Sequence, residues 1–434
     1  KPFPKPSGIE YIDRMATETA PAPHRRAALA LLFGINLFNY LDRQILAAVL
    51  PEIRTDLLGS FGPSAQTRAG FLATAFLVTY MLAAPVLGRL ADRFSRWLLI
   101  SISVTLWSLA SGWSGLAGGF TALLLSRMAV GIGEAGYGPA APALISDLFP
   151  IESRGRALAL FSLAMPVGGA LGYLFGGYAA VHWGWRSAFL LVVPPGLLLA
   201  LLCLRFREPH RLRSSDTPKH PPLAVLRTLF SIPSYRLNCA AMTAMTFTLG
   251  GIAFWMPDYI VRSRGSEFPS TPHLLAHVNM VFGGITVVAG LLGTLSGSVL
   301  AEKIRCRFPG SYFLISGAGI FLSFPALAAM LWTPFPGAWG WLFLSVFFLF
   351  LNTGPSNTAL ANVTPAPIRS TAFAVNILVI HALGDTISPP LIGWIGGLWG
   401  MNTAFLLVGA VMVLAAGFWL RACRHLGPDT AKAS

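Results

Sequence analysis

The sequence predicts an all-α integral membrane protein in which twelve transmembrane helices form two similar six-helix bundles. Three observations lead to this fold class. Hydrophobic residues make up 54% of the chain, charged residues only 11%, and the mean hydropathy is +0.64, whereas a soluble domain carries roughly 25% charge. Apolar stretches long enough to cross a bilayer recur along the whole chain. Segments of the first half also return, in the same order, in the second half.

Twelve apolar stretches can be read along the chain, and each approaches or exceeds the roughly 20 residues that a helix needs to cross a ~30 Å hydrocarbon core. Six precede and six follow a polar segment rich in Arg, Pro, Ser and His. We therefore expect five regions: a cytoplasmic tail at 1–26, a bundle at 27–205, a cytoplasmic linker at 206–236, a second bundle at 237–421 and a tail at 422–434.

The two halves are related by an internal repeat. Residues 183–191 read WGWRSAFLL and residues 399–407 read WGMNTAFLL, 216 positions later. Likewise, PIESRGRALA at 150–159 matches PAPIRSTAFA at 365–374. Because each repeat unit has six spans, an even number, both copies run the same way through the membrane. This is the parallel-repeat arrangement in which two halves rock around a midplane site.

The positive charges indicate how the chain is oriented. With the N-terminus in the cytoplasm, the inner segments hold 24 of the 31 Lys and Arg residues and the outer loops hold five, so both termini are expected to be cytoplasmic. The basic inner rim attracts anionic lipid headgroups and accounts for the net charge of +14 without a nucleic-acid partner. Four cysteines near inner helix ends should stay free thiols there: Cys203, Cys239, Cys306 and Cys423.

Two of the predicted helices carry charges at membrane depth. Asp42 and Arg43 lie side by side in the first span, at 27–50, and Arg127 and Glu134 lie two turns apart on nearly one face of the fourth. Each charge costs about 2.5–3.5 kcal/mol at the centre of a membrane helix, so it needs a partner or a wet cavity. These residues are either static ion pairs between helices or a gating and coupling site.

Residue counts from the outer ends of the spans predict which charges pair. Asp42 and Arg127 each lie seven or eight residues in, and Glu134 lies about twice as deep. Asp42 should therefore pair with Arg127, and Arg43 should reach Glu134 only if both side chains are extended. A glutamate without a constant cationic partner can take up a proton, so Glu134 is the predicted proton-sensitive residue.

The loop between the second and third spans reads GRLADRFSR, at 88–96. Its glycine would allow close helix approach, and its charges suit a cytoplasmic latch that forms in one state and breaks in another. An ordinary basic inner loop is the alternative, but a similar sequence recurs at 300–303 in the second half. The candidate gate residues are Gly88, Asp92, Arg93, Arg96, Glu302 and Lys303.

The eleventh span contains His381 and Asp385, which are four residues apart and therefore share a helix face. Pro389 and Pro390 follow, and they should break or kink the helix. The pair is a candidate proton relay, a contact for a headgroup, or a purely structural pair.

The fifth span has glycines at four-residue spacing, which is typical of a helix that another helix approaches closely. We expect these residues to lie in a tight interface: Gly168, Gly169, Gly172, Gly176 and Gly177.

These motifs together resemble the major facilitator superfamily, whose signatures look like the loop at 88–96 and Arg127 with the following glycine-rich turn. More narrowly, NYLDR at 39–43 and GIGEAGYGPAAPALISDLFP at 131–150 are similar to the Spinster family. The resemblance implies a carrier of lysophospholipids or sphingosine-phosphate-like lipids that works by alternating access, with Asp42, Arg43 and Glu134 as coupling and gating residues. The full predicted substrate and coupling set is Asn39, Tyr40, Asp42, Arg43, Arg127, Glu134, His381 and Asp385.

Other classes of function fit the sequence less well. Neither the HExxH nor the GxSxG motif of common hydrolases occurs, nor does a nucleotide-phosphate loop, and a channel would favour rings of like charge. An organic-anion or drug transporter of the same superfamily is the alternative to a lipid carrier. We expect a monomer in a bacterial inner membrane, with membrane lipids and an amphipathic lipid or small anion as partners. We expect no cofactor or metal, and the proton gradient as energy source.

Overall fold

The structure, a computed structural model, describes residues 22–58, 63–208, 222–365 and 368–433. Within these ranges almost the whole chain is helical and no strand occurs. The helices of the first half are α1 at Ala22–Ala48, continued by Leu50–Ile53 and a π-helical turn at Arg54–Leu58; α2 at Pro63–Arg93; α3 at Arg96–Gly115; α4 at Phe120–Ala135 with Tyr137–Leu148; α5 at Ile151–Ser162 with Ala164–Trp183; and α6 at Trp185–Leu190 with Val193–Cys203.

The second half repeats this succession of helices. A short helix at Pro222–Ser231 lies within the expected linker and precedes it. The helices are α7 at Pro233–Ser263; α8 at Leu274–Arg305; α9 at Ser311–Trp332; α10 at Gly337–Phe350 with Thr353–Asn362; α11 at Arg369–Ile380, a π-helical turn at His381–Asp385, and Ser388–Trp399; and α12 at Met401–Ala433.

The lengths and compositions of these helices fit a multi-pass membrane protein. Ten of the described helices are long and apolar enough to cross a membrane. Helices α1 and α4 are not among the ten, and they are the helices that carry Asp42, Arg43, Arg127 and Glu134. With these two included, the helices are consistent with the twelve predicted crossings, and the all-α membrane fold is confirmed. All four cysteines are free thiols, as expected.

Four of the five glycines of α5 form the tight interface that their spacing predicts, whereas Gly169 makes only an ordinary contact. A Cβ added at Gly168 would lie 2.3 Å from the carbonyl oxygen of Leu37 in α1, and one added at Gly172 would lie 2.4 Å from another carbonyl of that helix. A Cβ at Gly177 would lie 2.8 Å from Asn279 of α8. Because a real Cβ does not approach other atoms so closely, α5 packs against both partners only where glycine leaves room.

Replacement of Gly172 by Val should push α1 away from α5 and lower the melting temperature of the protein in detergent. Forced overpacking costs about 1–3 kcal/mol or more. The matched control is Gly169→Ala, because the nearest atom to its new methyl group would be Gln44 Cγ at 3.7 Å, an ordinary contact. Equal melting temperatures for Gly172→Val and the wild type, measured by intrinsic fluorescence, would contradict this packing.

The two halves contact each other along the side predicted to be the outer one. Helix α2 approaches α11 so closely that a Cβ at Gly70 would lie 2.4 Å from the backbone of Pro390. The Tyr173 hydroxyl of α5 donates a hydrogen bond of 2.6 Å to the Ala253 carbonyl of α7. The predicted outer side is therefore closed in this structure.

Candidate substrate and coupling site

Arg43 and Glu134 form an ion pair inside the first half of the molecule. The Nε atom of Arg43 donates to Oε2 of Glu134 at 2.6 Å. The Glu134 side chain is fully buried, whereas 24% of the Arg43 side chain remains accessible. Exposure of a guanidinium to hydrocarbon is costly, so we expect the accessible part to face water rather than lipid.

This pairing differs from the one that residue counts predict. Helix α1 does not end near residue 50 but stays helical to Leu58. Arg43 is therefore about as far from the outer end of its helix as Glu134 is from Phe120, where α4 begins. The two side chains lie at matching depth, and the expectation of a poor match between them is wrong because the predicted first span stops too early.

Asp42 is held by a hydroxyl group rather than by a guanidinium. Ser111 of α3 donates to Oδ2 of Asp42 at 2.5 Å, and Asp42 is fully buried. The Nε and Nη1 atoms of buried Arg127 have no hydrogen-bond partner among the described residues. Arg127 lies 5.8 and 5.9 Å from the ring centroids of Phe76 and Phe189. The predicted Asp42–Arg127 ion pair is therefore wrong, although the two charges are close enough to attract each other.

Three aromatic rings surround the guanidinium of Arg43. Its Cζ atom lies 5.1 Å from the ring centroid of Tyr40, 5.0 Å from that of Phe76 and 5.2 Å from that of Tyr80. Rings at such distances stabilise a cation through their quadrupoles. Tyr40 belongs to the predicted set, but nothing in the sequence separates Phe76 and Tyr80 from ordinary packing residues of α2. Asn39, which was also predicted, lies buried beside Glu134.

The predicted pair in α11 is formed, and it occupies the π-helical turn. Nδ1 of His381 lies 3.0 and 2.9 Å from the two carboxylate oxygens of Asp385. Both side chains are partly exposed, at 35% and 19%. π-Helical turns are frequent at functional sites, but whether this pair relays protons, contacts cargo or serves the fold stays a prediction.

The α-helical hydrogen bonding of α11 is interrupted after this turn, as the two prolines predict. In an α-helix, the carbonyl of Thr386 would accept from the backbone N–H of residue 390, but Pro390 has none. The hydroxyl of Thr74, in α2 of the other half, donates to this carbonyl at 2.5 Å. Pro390 thus leaves the Thr386 carbonyl without a donor in its own helix, and Thr74 of the opposite half supplies one.

Of the candidate gate residues in the first half, Arg96 is buried and well connected. It forms ion pairs of 2.6 Å with Asp147 at the end of α4 and 2.8 Å with Glu208 after α6. The side chain of Asp92 lies outside the described residues, so its part in a latch stays a prediction. The close approach expected at Gly88 is wrong, because a Cβ there would have its nearest neighbour, on α4, at an ordinary 3.8 Å.

The corresponding loop in the second half makes contacts of its own. Glu302 accepts a hydrogen bond of 2.6 Å from the Tyr312 hydroxyl and one of 3.1 Å from Arg305. Lys303 and Arg93 are exposed. Among the described residues, Glu302 contacts only its own half, and Arg96 contacts only the first half and Glu208 directly after α6. A latch formed by these loops in another state stays a prediction.

An ion pair that the sequence does not reveal joins the two halves at the predicted outer side. Arg54, in the last turn of α1, donates through Nη1 to Oδ2 of Asp258 in α7, and only 3% and 1% of these side chains are exposed. Nearby, Arg262 donates to the Pro51 carbonyl at 2.9 Å. In the sequence Arg54 and Arg262 count as charges of outer loops, because the extension of α1 is not apparent there.

This architecture defines a class of membrane protein. Two related helical halves that are closed on one side, with charged pairs buried at membrane depth, are typical of secondary transporters with alternating access. Residues 32–384 match the Major Facilitator Superfamily, and the chain is therefore a multi-pass integral membrane transporter.

Within that superfamily, the chain belongs to the Spinster family. It is 34% identical to protein spinster homolog 1 of Xenopus tropicalis, over 94% of this chain and 82% of that protein. It is 36% identical to protein spinster homolog 1 of Homo sapiens, over 87% of this chain and 74% of that protein. The resemblance seen in the motifs is thus confirmed.

Solved structures show the same fold. One is a bacterial homolog to the human lysosomal transporter Spinster, in an inward-facing and unoccupied conformation, with a TM-score of 0.83 and 24% identity over 94% of this chain and 99% of that chain. Another is a D-xylose–proton symporter, with a TM-score of 0.70 and 18% identity over 91% of this chain and 96% of that chain. At these identities the two structures support the fold alone.

Proposed function

We propose that this transporter moves an amphipathic lipid with an anionic headgroup, such as a lysophospholipid or a sphingosine-phosphate-like molecule, by alternating access coupled to protons. The observation that supports this most directly is the Arg43–Glu134 pair, a partly accessible cation held by a fully buried carboxylate. The guanidinium can bind an anionic headgroup. The carboxylate, out of contact with water, can carry a proton.

Because the two groups form one ion pair, binding at one affects binding at the other. A proton on Glu134 removes the negative charge beside Arg43, and an anion bound to Arg43 restores it. Proton and anion therefore favour each other's binding, and this coupling is reciprocal. With both bound, the pair carries the same net charge as with neither bound, which avoids an uncompensated charge at membrane depth.

The remaining parts of the proposal follow from composition and orientation. We propose a monomer in the inner membrane of a bacterium with both termini in the cytoplasm, where the basic inner rim meets anionic lipids. The proton gradient supplies the energy, and neither a cofactor nor a nucleic acid takes part.

Flux into proteoliposomes under an imposed proton gradient tests this proposal. The cargoes are lysophosphatidic acid and a small organic anion of similar charge. We expect the lysolipid to accumulate, and its accumulation to stop when a protonophore removes the gradient. Uptake of the small anion without the lysolipid would favour the organic-anion transporter instead, and lysolipid flux indifferent to the protonophore would exclude proton coupling.

A further inference from the structure

The ion pair with Glu134 uses only one edge of the Arg43 guanidinium. The Nε atom donates to Glu134, and neither terminal nitrogen has a hydrogen-bond partner among the described residues. A guanidinium carries five N–H donors in a planar fork, so four donors remain for another acceptor. The free edge has the geometry that binds two oxygens of a phosphate or carboxylate. Arg43 can therefore hold Glu134 and an anion at the same time.

Two phenol side chains lie close to this guanidinium. The rings of Tyr40 and Tyr80 lie 5.1 and 5.2 Å from Cζ of Arg43, and both residues are partly exposed. Neither hydroxyl forms a hydrogen bond with any part of the chain that the structure describes. The two tyrosines lie within electrostatic range of each other and of Arg43. The cluster around Arg43 thus contains two hydroxyl groups and two terminal guanidinium nitrogens that have no hydrogen-bond partner among the described residues.

The hydroxyl of Tyr80 lies against a glycine of the neighbouring helix, where a larger residue would not fit. A Cβ added at Gly138, in the second part of α4, would lie only 2.5 Å from this oxygen. Phe76, one turn earlier in α2, presents a ring to Arg43 at 5.0 Å without a hydroxyl. A ring alone suffices to stabilise the guanidinium, so the phenol oxygens of the two tyrosines are not needed to hold Arg43.

We propose that Tyr40 and Tyr80 complete, with the free edge of Arg43, a subsite for the oxyanion of the cargo. This inference rests on the proposed function and names the residues that recognise the headgroup by hydrogen bonding. Phenol groups donate hydrogen bonds without adding charge. They therefore distinguish an oxyanion from an uncharged headgroup and leave the charge balance between Arg43 and Glu134 unchanged. Tyr40 and Tyr80 act as specificity residues, and Phe76 positions Arg43.

Equilibrium binding to the purified full-length protein in nanodiscs tests the subsite with three probes. They are lysophosphatidic acid, monoacylglycerol with the same acyl chain, and glycerol 3-phosphate. The variants are Tyr40→Phe and Tyr80→Phe, which keep the ring, and Tyr80→Leu, which removes it. The matched control is Tyr178→Phe, because Tyr178 is exposed on α5 and stacks on His182 instead.

Each Tyr→Phe variant should bind lysophosphatidic acid about tenfold more weakly than the wild type, as expected for a lost hydrogen bond to a charged group. Binding of monoacylglycerol should stay at the wild-type level, and Tyr178→Phe should bind every probe normally. Tyr80→Leu should weaken lysophosphatidic acid binding further, because it also removes a ring from Arg43.

Wild-type affinity for lysophosphatidic acid in both Tyr→Phe variants would overturn the subsite while leaving the proposed function in place, and so would equal losses for lysophosphatidic acid and monoacylglycerol. If the wild type binds glycerol 3-phosphate tightly and the two Tyr→Phe variants do not, the oxyanion subsite would be supported, but the lipid would be overturned as the cargo. A wild-type protein that binds neither phosphate probe would overturn both.

Discussion

Replacement of Glu134 by Gln should abolish gradient-driven accumulation of cargo while leaving cargo binding intact. The amide oxygen of Gln can still accept the hydrogen bond that Arg43 donates to Oε2 at 2.6 Å, so the local structure is retained. The amide cannot gain or lose a proton, so the reciprocal coupling between proton and anion disappears. Transport in liposomes as a function of pH should fall to background for Glu134→Gln at every pH.

Two other carboxylates serve as comparisons for this experiment. Asp42→Asn removes the stronger of the two negative charges near buried Arg127, so we expect lower expression and stability rather than a selective loss of coupling. Glu267 lies in the outer loop after α7, where hydrogen bonds from Arg264 lower the pKa of its carboxyl. A carboxyl with a lowered pKa does not gain a proton near neutral pH, so Glu267→Gln should transport with wild-type pH dependence. Wild-type pH dependence in Glu134→Gln, with its loss in a well-folded Asp42→Asn, would identify Asp42 as the coupling residue.

Replacement of Asp258 by Asn should open the outer side of the transporter. The Arg54–Asp258 pair is buried and joins the two halves. Loss of one partner of such a pair typically costs about 3–5 kcal/mol, because the other charge is left buried. That cost falls on the closed state alone, since separation of the halves returns Arg54 to water. Distances between spin labels on the outer ends of α1 and α7 should therefore shift towards longer values.

A double variant separates the charge effect from a loss of packing. In Arg54→Gln with Asp258→Asn, neither residue of this pair is left as an unpaired buried charge. Arg262, which lies 3.4 Å from Asp258, keeps its hydrogen bonds to Pro51 and Thr55 of the other half. The distance distribution should therefore lie closer to that of the wild type than in either single variant. An unchanged distribution in Asp258→Asn would show that glycine packing, rather than this ion pair, keeps the outer side closed.

Much of this fold can be predicted from the sequence because it depends on periodic or repeated patterns. The apolar spans, the internal repeat and the glycine spacing of α5 can all be read from the sequence. The interruption of α11 can be predicted as well, from Pro389 and Pro390. The site is harder to predict, because pairs between helices depend on where each helix ends. If the first helix ended at residue 50, Asp42 and Arg127 would lie at the same depth and would be the expected pair. Because helical structure continues to Leu58, Arg43 and Glu134 lie at the same depth instead, and Arg54 becomes a buried residue.

The aromatic surroundings of Arg43 show another limit. Phe76 and Tyr80 are one turn apart in an apolar helix, a pattern that packing alone explains. Only the rotation of α2 relative to α1 turns their rings towards the guanidinium. That rotation is set by contacts such as Gly131 of α4, where a Cβ would lie 2.3 Å from the Phe76 carbonyl.

The bond between Thr74 and the Thr386 carbonyl has a consequence for how the outer side opens. When the halves separate, the Thr386 carbonyl loses the hydrogen bond from the Thr74 hydroxyl. Pro390 cannot replace this donor, because it has no backbone N–H. A polar backbone group left dry costs about 1–3 kcal/mol. Hydration of this single peptide group is therefore part of the opening transition, and the interruption of α11 is a point at which water has to enter as the transporter changes state.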